Sequence, residues 1–405
     1  MDQAQLARAS FVVLPLVLLG LLVLPGSRAR RLVLAVALGV AVSLGLALAV
    51  PAGTFTYMAS FSTMAMIYAL LSLGLNAQWG LSGHVNFGVA GFFALGAFTS
   101  ALVTTTMPAG ALAAYSQQAF GLGLPFLVGV LAGGLVAALV GFLIGIPVLR
   151  LRTDFLAIAT LGIAEIIRLI FQNERWLANG PQPLRGIPQP LSCVFADPAC
   201  WWLPGPIARW VAPLEPRDYT FMYFLLVSIM LAVVYILLER ISRSPWGRVQ
   251  RAVRDEEASA AMSGKPVTFY RIESFVIGSF IMGVAGAVYA HYVVSIDYSH
   301  FNPLFATFIV WVMLMLGGSG NNKGAILGAF VVWAVWTGTQ SLIDLIAPVL
   351  SLISPDLPSR SAYFRWLLVA ILLAAIVLFK PEGLIRERMR ISDFLRGHGK
   401  GGHEG

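Results

Sequence analysis

Eleven apolar runs constrain what this chain can fold into more than any other feature of its sequence. A helix needs about 20 apolar residues to cross the ~30 Å hydrocarbon core of a bilayer. Hydrophobic residues make up 58% of the chain, charged residues only 11%, and the mean hydropathy is +0.81, which excludes an ordinary soluble domain. We therefore predict an all-α polytopic membrane protein. The runs lie near 11–25, 32–51, 55–79, 84–107, 124–149, 154–172, 219–238, 270–294, 302–317, 324–345 and 361–380, and the first and ninth are short enough to be tilted, broken or re-entrant.

A dense charged segment, residues 239–273, interrupts the apolar pattern and predicts the topology. It contains seven basic and five acidic residues. If it is cytosolic, alternation places the basic loops 27–31 and 150–153 and the tail from Lys380 on the same side, as the positive-inside rule requires. We predict an N-terminus outside and a C-terminus inside. The formal charge of +8 is thus spread over short loops and the tail, which does not favour nucleic-acid binding.

The charged segment carries the start and stop signals of a helix. Pro245 and Gly247 are expected to end the preceding apolar helix, since proline cannot continue a helix and glycine weakens it. From Arg248 to Met262 the sequence contains no helix breaker, and Gly264 then stops the helix. We predict one continuous helix over 248–262.

The charges on this predicted helix permit two interpretations. Arg251 can pair with Asp255, and Arg254 with Glu257, at helical spacing. Arginines nevertheless come before the acids, which opposes the helix dipole and favours a surface shaped by a partner. The alternative is a solvated loop that only sets the topology.

The long outer segment, residues 173–218, contains both cysteines and nine of the 22 prolines. Its composition predicts a folded cap at the membrane surface. Cys193 and Cys200 can form a disulfide in an oxidising periplasm, or remain two free thiols.

Polar residues within apolar runs are candidates for a translocation pathway. Such groups are costly in lipid, so they pair with neighbouring helices or line a water-filled path. Two alternatives stay open. Glu165 and Arg168 are three residues apart and can form a pair within one helix instead of lining a path. The glycines near residue 90 can be present simply because they allow helices to pack closely. The predicted pathway residues are Asn76, His84, Asn86, Phe87, Thr160, Glu165 and Arg168.

Two kinds of motif are missing from the sequence, and this limits the reactions that the chain is expected to carry out. The chain has no G-x-x-x-x-G-K-[ST] motif, so we expect any ATP to be bound by partner subunits. His84, His291 and His300 are too scattered to indicate catalysis, and no residues have metal-ligand spacing. We predict no enzymatic activity and no cofactor.

The stretch from Trp246 to Ala258 (WGRVQRAVRDEEA) resembles the cytoplasmic coupling loop of LivM-type permease subunits, which belong to ABC importers for branched-chain amino acids. The resemblance extends from about residue 60 to 385. Further similar stretches are residues 83–88 (GHVNFG), 149–162 (LRLRTDFLAIATLG) and 285–292 (AGAVYAHY). The chain departs from the family pattern after the coupling helix, where it reads Gly264-Lys265-Pro266 instead of Gly-Ile-Asn.

The resemblance implies a ten-helix importer core plus one extra N-terminal transmembrane helix. It also implies a second homologous permease, two ABC ATPase subunits, a periplasmic substrate-binding protein and a bacterial inner-membrane location. Charge reversal at Arg251 and Arg254 is then expected to uncouple ATP hydrolysis from uptake. The residues expected to contact the ATPases are Arg248, Arg251, Arg254, Asp255, Glu256, Glu257 and Gly264.

The predicted organisation has three parts: residues 1–31 form the N-terminal helix and basic loop, 32–385 the permease domain, and 386–405 a basic cytoplasmic tail. Two other functions remain open. The same scaffold can import urea, short amides or another small solute. A secondary transporter driven by an ion gradient would need acidic residues at membrane depth, where Glu165 is the only candidate.

Overall fold

The computed structural model describes residues 52–108, 117–190, 219–353 and 362–387, with isolated positions at 17 and 40. Within these ranges the chain forms helices joined by turns and by irregular segments such as residues 179–190. The helices are α1 (Ala52–Leu75), α2 (Val89–Thr104), α3 (Phe126–Val148), α4 (Thr153–Asn173), α5 (Arg175–Ala178), α6 (Tyr219–Arg243), α7 (Pro245–Asp255), α8 (Glu257–Met262), α9 (Val267–Val293), α10 (Pro303–Ala306), α11 (Phe308–Gly317), α12 (Asn322–Ile353) and α13 (Ala362–Phe379). A π-helical turn (Asn76–Gly80) extends α1, and a 3-10 turn (Tyr298–Phe301) precedes α10.

The predicted all-α membrane protein agrees with these helices. Four segments in the described ranges are long and apolar enough to cross a membrane: Gly53–Gly80, Phe126–Val148, Tyr219–Arg243 and Val267–Val293. Shorter apolar helices lie at Val89–Thr104, Phe308–Gly317 and Trp366–Ile376. Apart from positions 17 and 40, the runs 11–25 and 32–51 lie outside the described residues, so the number of spans and their orientation stay predictions.

Helices α2, α3 and α9 pack against one another through glycines. The backbones of Gly96 and Gly283 lie so close that a Cβ on Gly96 would collide with the carbonyl group of Gly283. Gly286 approaches the carbonyl oxygen of Phe93 in the same way, and Gly133 approaches Gly96. Because lipid supplies little hydrophobic drive for helix association, this close van der Waals packing is a main source of cohesion.

We expect Gly96→Val to lower the thermal stability of the purified protein strongly. The added side chain must push α9 away, and overpacking of this kind costs about 1–3 kcal/mol or more. Gly162→Val is the matched control, because a Cβ on Gly162 meets nothing within 4 Å. Thermal unfolding in detergent measures both variants, and equal melting temperatures would contradict the packing argument.

Two interruptions in the apolar helices correct the predicted boundaries. The predicted run 84–107 is not one helix, because residues 83–88 are irregular and α2 begins only at Val89. The run 302–317 is broken at Thr307, between α10 and α11. At about 1.5 Å per residue, the ten residues of α11 cover roughly half the apolar thickness of a bilayer. Gly83 begins the first interruption with a φ of 78°, a left-handed conformation that glycine adopts without strain.

Candidate functional site

Residues 245–262 of the charged segment fold as two short helices, whereas the sequence predicts one continuous helix over 248–262. Pro245 occupies the first turn of α7, where its missing N–H costs nothing. Glu256 is extended, with φ −156° and ψ 100°, and it separates α7 from α8. The predicted stop is confirmed: α8 ends at Met262, and Gly264 adopts a left-handed φ of 75°.

Arg254 points from α7 into the protein. Its guanidinium donates a hydrogen bond to the carbonyl oxygen of Gly80, 2.5 Å away at the end of the π-helical turn. The same side chain forms ion pairs with Glu387, at 2.9 Å, and with Asp255, at 3.1 Å. Arg254 therefore joins the charged segment to the end of the first membrane-length helix.

Arg251, one turn earlier on α7, is also turned inward. It donates a hydrogen bond to the carbonyl oxygen of Ser242, at 3.0 Å, and forms an ion pair with Glu387, at 3.2 Å. The predicted pairs of Arg251 with Asp255 and of Arg254 with Glu257 are therefore wrong. Pairs within an exposed helix contribute only about 0.3–0.5 kcal/mol, so partners on other elements displace them.

A second contact joins the charged segment to the irregular residues 83–88. Arg271, near the start of α9, donates from its Nε to Nε2 of His84, 2.8 Å away, so this nitrogen of the buried imidazole acts as an acceptor. Arg271 also pairs with Glu257 of α8, at 3.2 Å. The extended Glu256 lets α8 turn so that Glu257 meets this partner.

Buried polar groups complete the junction between α7 and the core. Gln250 is fully buried, and its amide nitrogen donates to the carbonyl oxygen of Tyr270 at 2.7 Å. The hydroxyl group of Ser82 donates to the amide oxygen of Gln250 at 2.6 Å. Because buried polar groups are costly unless they are bonded, these pairs hold α7 in one position.

Phe87 lies where the two helix interruptions meet. Its backbone N–H donates to the hydroxyl oxygen of Thr160, at 3.0 Å, and its carbonyl oxygen accepts from the hydroxyl of Thr307, at 3.3 Å. Trp311 donates from its indole nitrogen to the carbonyl oxygen of Asn86, at 3.0 Å. The amide of Asn86 in turn donates to Gln78, at 2.6 Å. The irregular backbone is thus bonded within the protein, as irregular backbone at membrane depth must be.

Aromatic rings surround the interruption. The ring of Phe87 stacks on that of Trp311 at a centroid distance of 4.8 Å and an interplanar angle of 16°. Trp79 packs against the same indole at 4.6 Å, and Phe308 against Phe87 at 5.5 Å. Gln78, Thr307 and Trp311 were not predicted as site residues. Thr307 and Trp311 bond to Phe87 and Asn86, which are more distant along the chain than any local pattern reaches, and Gln78 also bonds to the carbonyl oxygen of Phe275.

The predicted pathway residues fall into three places. Asn86, Phe87 and Thr160 come together at the interruption. His84 and Asn76 lie closer to the charged segment, and Asn76 donates to the side-chain oxygen of Asn322 at 2.9 Å.

Glu165 and Arg168 stand apart from this cluster. They form an intrahelical ion pair on α4, and the guanidinium of Arg168 lies 5.7 Å from the centroid of the Tyr298 ring. Cys193 and Cys200 lie outside the described residues, so their disulfide stays a prediction.

Comparison with known proteins identifies the family. The family model "Branched-chain amino acid transport system / permease component" matches residues 57–377. The high-affinity branched-chain amino acid transport permease LivM of Salmonella typhimurium is 29% identical over 329 residues, which cover 80% of this chain and 69% of that protein. A probable LivM of Methanocaldococcus jannaschii is 28% identical over 348 residues, 80% of this chain and 91% of that protein. The autoinducer 2 import permease LsrC of Klebsiella pneumoniae is 24% identical over 50% of this chain and 52% of that protein.

No solved structure shows significant similarity to the chain. The family match covers most of the described helices, from α1 to α13, and includes both interruptions and the charged segment. The chain therefore belongs to the family of permease components of branched-chain amino acid transport systems.

Proposed function

We propose that this chain is the permease subunit of an ATP-driven importer in a bacterial inner membrane, and that it carries branched-chain and other hydrophobic amino acids to the cytosol. The named LivM relatives support this substrate class. An importer of this kind requires ATPase subunits and a substrate-binding protein. We infer two ATPases, a second homologous permease and a periplasmic binding protein, with eleven spans, the N-terminus outside and the C-terminus inside.

The contacts between the charged segment and the first helix interruption carry this proposal. Arg254 reaches the carbonyl oxygen of Gly80, and Arg271 reaches His84. Discontinuous helices are the elements around which transporters bind substrate and alternate their access. A push on the charged segment by an ATPase would therefore act on Gly80 and on the side chain of His84, at the start of the first interruption.

The exposed face of α7 and α8 is the surface that we assign to ATPase docking. Arg248, Asp255, Glu256 and Gly264 are exposed, and Met262 at the end of α8 is 82% exposed. An exposed methionine flanked by charges suits a groove that is apolar at its centre and polar at its rim. Arg251 and Arg254 face inward, so we assign them to holding α7 on the core.

We place the substrate pathway beside the aromatic cluster around Phe87 and Trp311. Aromatic rings with a few polar groups, here Asn86 and Thr160, suit a solute with an apolar side chain and a polar backbone. Glu165 and Arg168 neutralise each other on α4, so we do not assign the charged ends of the substrate to them.

Uptake by the complete complex in lipid vesicles tests the proposal. We expect ATP-dependent uptake of leucine, isoleucine and valine at least about tenfold above that of urea or acetamide, since burying an aliphatic side chain contributes about 1.5–3 kcal/mol. Preferential uptake of urea or acetamide would assign the same scaffold to small polar solutes. The similarity to LsrC makes autoinducer 2 the third solute to measure.

An ion-coupled secondary transporter is the competing function from another class. Uptake that persists without the ATPase subunits and collapses when the proton gradient is dissipated would establish it. The Glu165–Arg168 ion pair argues against Glu165 as the binding site of a coupling ion, because the carboxylate is already paired with a guanidinium.

A further inference from the structure

The C-terminal strap, which we define as residues 383–387, runs back along the end of α11. The backbone N–H of Leu384 donates to the carbonyl oxygen of Leu316, at 2.8 Å, and that of Ile385 donates to Gly317, at 3.0 Å. The last carbonyl groups of a helix lack partners within the helix, so the strap satisfies acceptors that α11 leaves open.

The strap passes very close to the turn that follows α11. Gly383 has a φ of 75°, and a side chain there would collide with the backbone of Gly318. Farther along, the side-chain nitrogen of Asn321 donates to the carbonyl oxygen of Arg386 at 3.0 Å. The strap is therefore bonded at several points to the second interrupted helix and its turn.

Glu387 ends the strap between two arginines of α7. Its carboxylate lies 2.9 Å from Arg254 and 3.2 Å from Arg251, and the three side chains are only 23%, 24% and 29% exposed. Gly320 leaves the space that this carboxylate occupies, because a Cβ there would lie 2.7 Å from it. A shielded carboxylate that serves two guanidinium groups is held more firmly than a surface ion pair.

The helix that precedes the first interruption and the helix that follows the second thus meet at one charged cluster, which consists of Arg251, Arg254 and Glu387. Arg254 connects the cluster to Gly80, before the first interruption, and the strap connects it to α11, after the second. We propose that Glu387 is a positioning residue for ATP-driven transport, and that the strap transmits movement of the charged segment to α11. The proposal rests on the coupling role assigned above, and adds the tail as a second connection to the membrane core.

Glu387→Gln tests the positioning role, since it removes the charge and keeps the size of the side chain. Glu382→Gln is the matched control, because Glu382 lies just before the strap and pairs with exposed Arg386. The first measurement is backbone amide exchange of residues 245–255 in the purified permease, which needs no partner subunit. We expect faster exchange in Glu387→Gln only. Unchanged exchange in that variant would overturn the proposal, whatever transport shows.

The second measurement is the number of substrate molecules imported per ATP hydrolysed by the complete complex in vesicles. We expect Glu387→Gln to lower this ratio roughly fivefold, because the amide oxygen can still accept a hydrogen bond but lacks the charge that strengthens it, and Glu387→Asp to recover part of the loss. Glu382→Gln should keep the wild-type ratio. A wild-type ratio in Glu387→Gln would show that the strap does not transmit the movement, and an equal fall in Glu382→Gln would overturn the specific positioning role of Glu387.

Discussion

Replacing Arg254 with alanine is expected to lower ATP-driven uptake at least about tenfold while the ATPase subunits stay bound. The guanidinium donates a hydrogen bond to the carbonyl oxygen of Gly80 and also pairs with the carboxylate of Glu387. Both contacts are partly shielded from water. Loss of one bond to a charged group costs about 1.5–3 kcal/mol, and each 1.4 kcal/mol is a factor of ten. Uptake and ATP hydrolysis in the same vesicles, together with co-purification of the ATPases, measure the effect.

Two further variants make the Arg254 result specific. Arg254→Lys keeps the charge but loses the planar fork that reaches two acceptors at once, so we expect an intermediate loss. Arg240→Ala removes an exposed arginine at the end of α6 and should leave uptake unchanged. Wild-type uptake in Arg254→Ala would show that the bond to Gly80 transmits nothing.

The long helices were predictable because their apolar length decides them. The run 124–149 became Phe126–Val148, and the run 154–172 became Thr153–Asn173, within two residues at each end. Local stop signals were equally informative, since Gly264 terminates the charged segment as its sequence predicts. Both signals lie within a single stretch of sequence, where hydrophobicity and backbone preference decide the structure without distant partners.

The short run 302–317 indicated a possible break, but the first interruption was not predictable, because tertiary partners decide it. Residues 83–88 lie between apolar stretches, and their backbone leaves the helix only where Thr160 and Thr307 supply replacement hydrogen bonds. The same reason explains the wrong ion pairs of α7. Helical spacing places Asp255 within reach of Arg251, but Arg251 pairs instead with the carboxylate of Glu387 on the C-terminal strap, which is less exposed to water than that of Asp255.

Replacing Met262 with aspartate is expected to abolish stable assembly with the ATPase subunits and, with it, ATP-driven uptake. Met262 is 82% exposed at the end of α8, and no other large hydrophobic side chain of the charged segment is as exposed within the described residues. Burying a methionine side chain contributes about 1.5–3 kcal/mol, and a buried, unpaired carboxylate adds a further cost of desolvation. Co-purification of the ATPases with the permease measures the loss.

Met262→Leu keeps the apolar surface at this position and should retain assembly, which separates loss of docking from misfolding. Met262→Asp must also keep the thermal stability of the isolated permease, since its side chain contacts solvent and not the core. Normal co-purification of Met262→Asp would move the docking surface elsewhere on the charged segment. Arg254→Ala is expected to keep the ATPases bound, whereas Met262→Asp is expected to lose them. The two variants therefore distinguish the ATPase docking surface at Met262 from the Arg254–Gly80 hydrogen bond, which transmits the movement to the membrane helices.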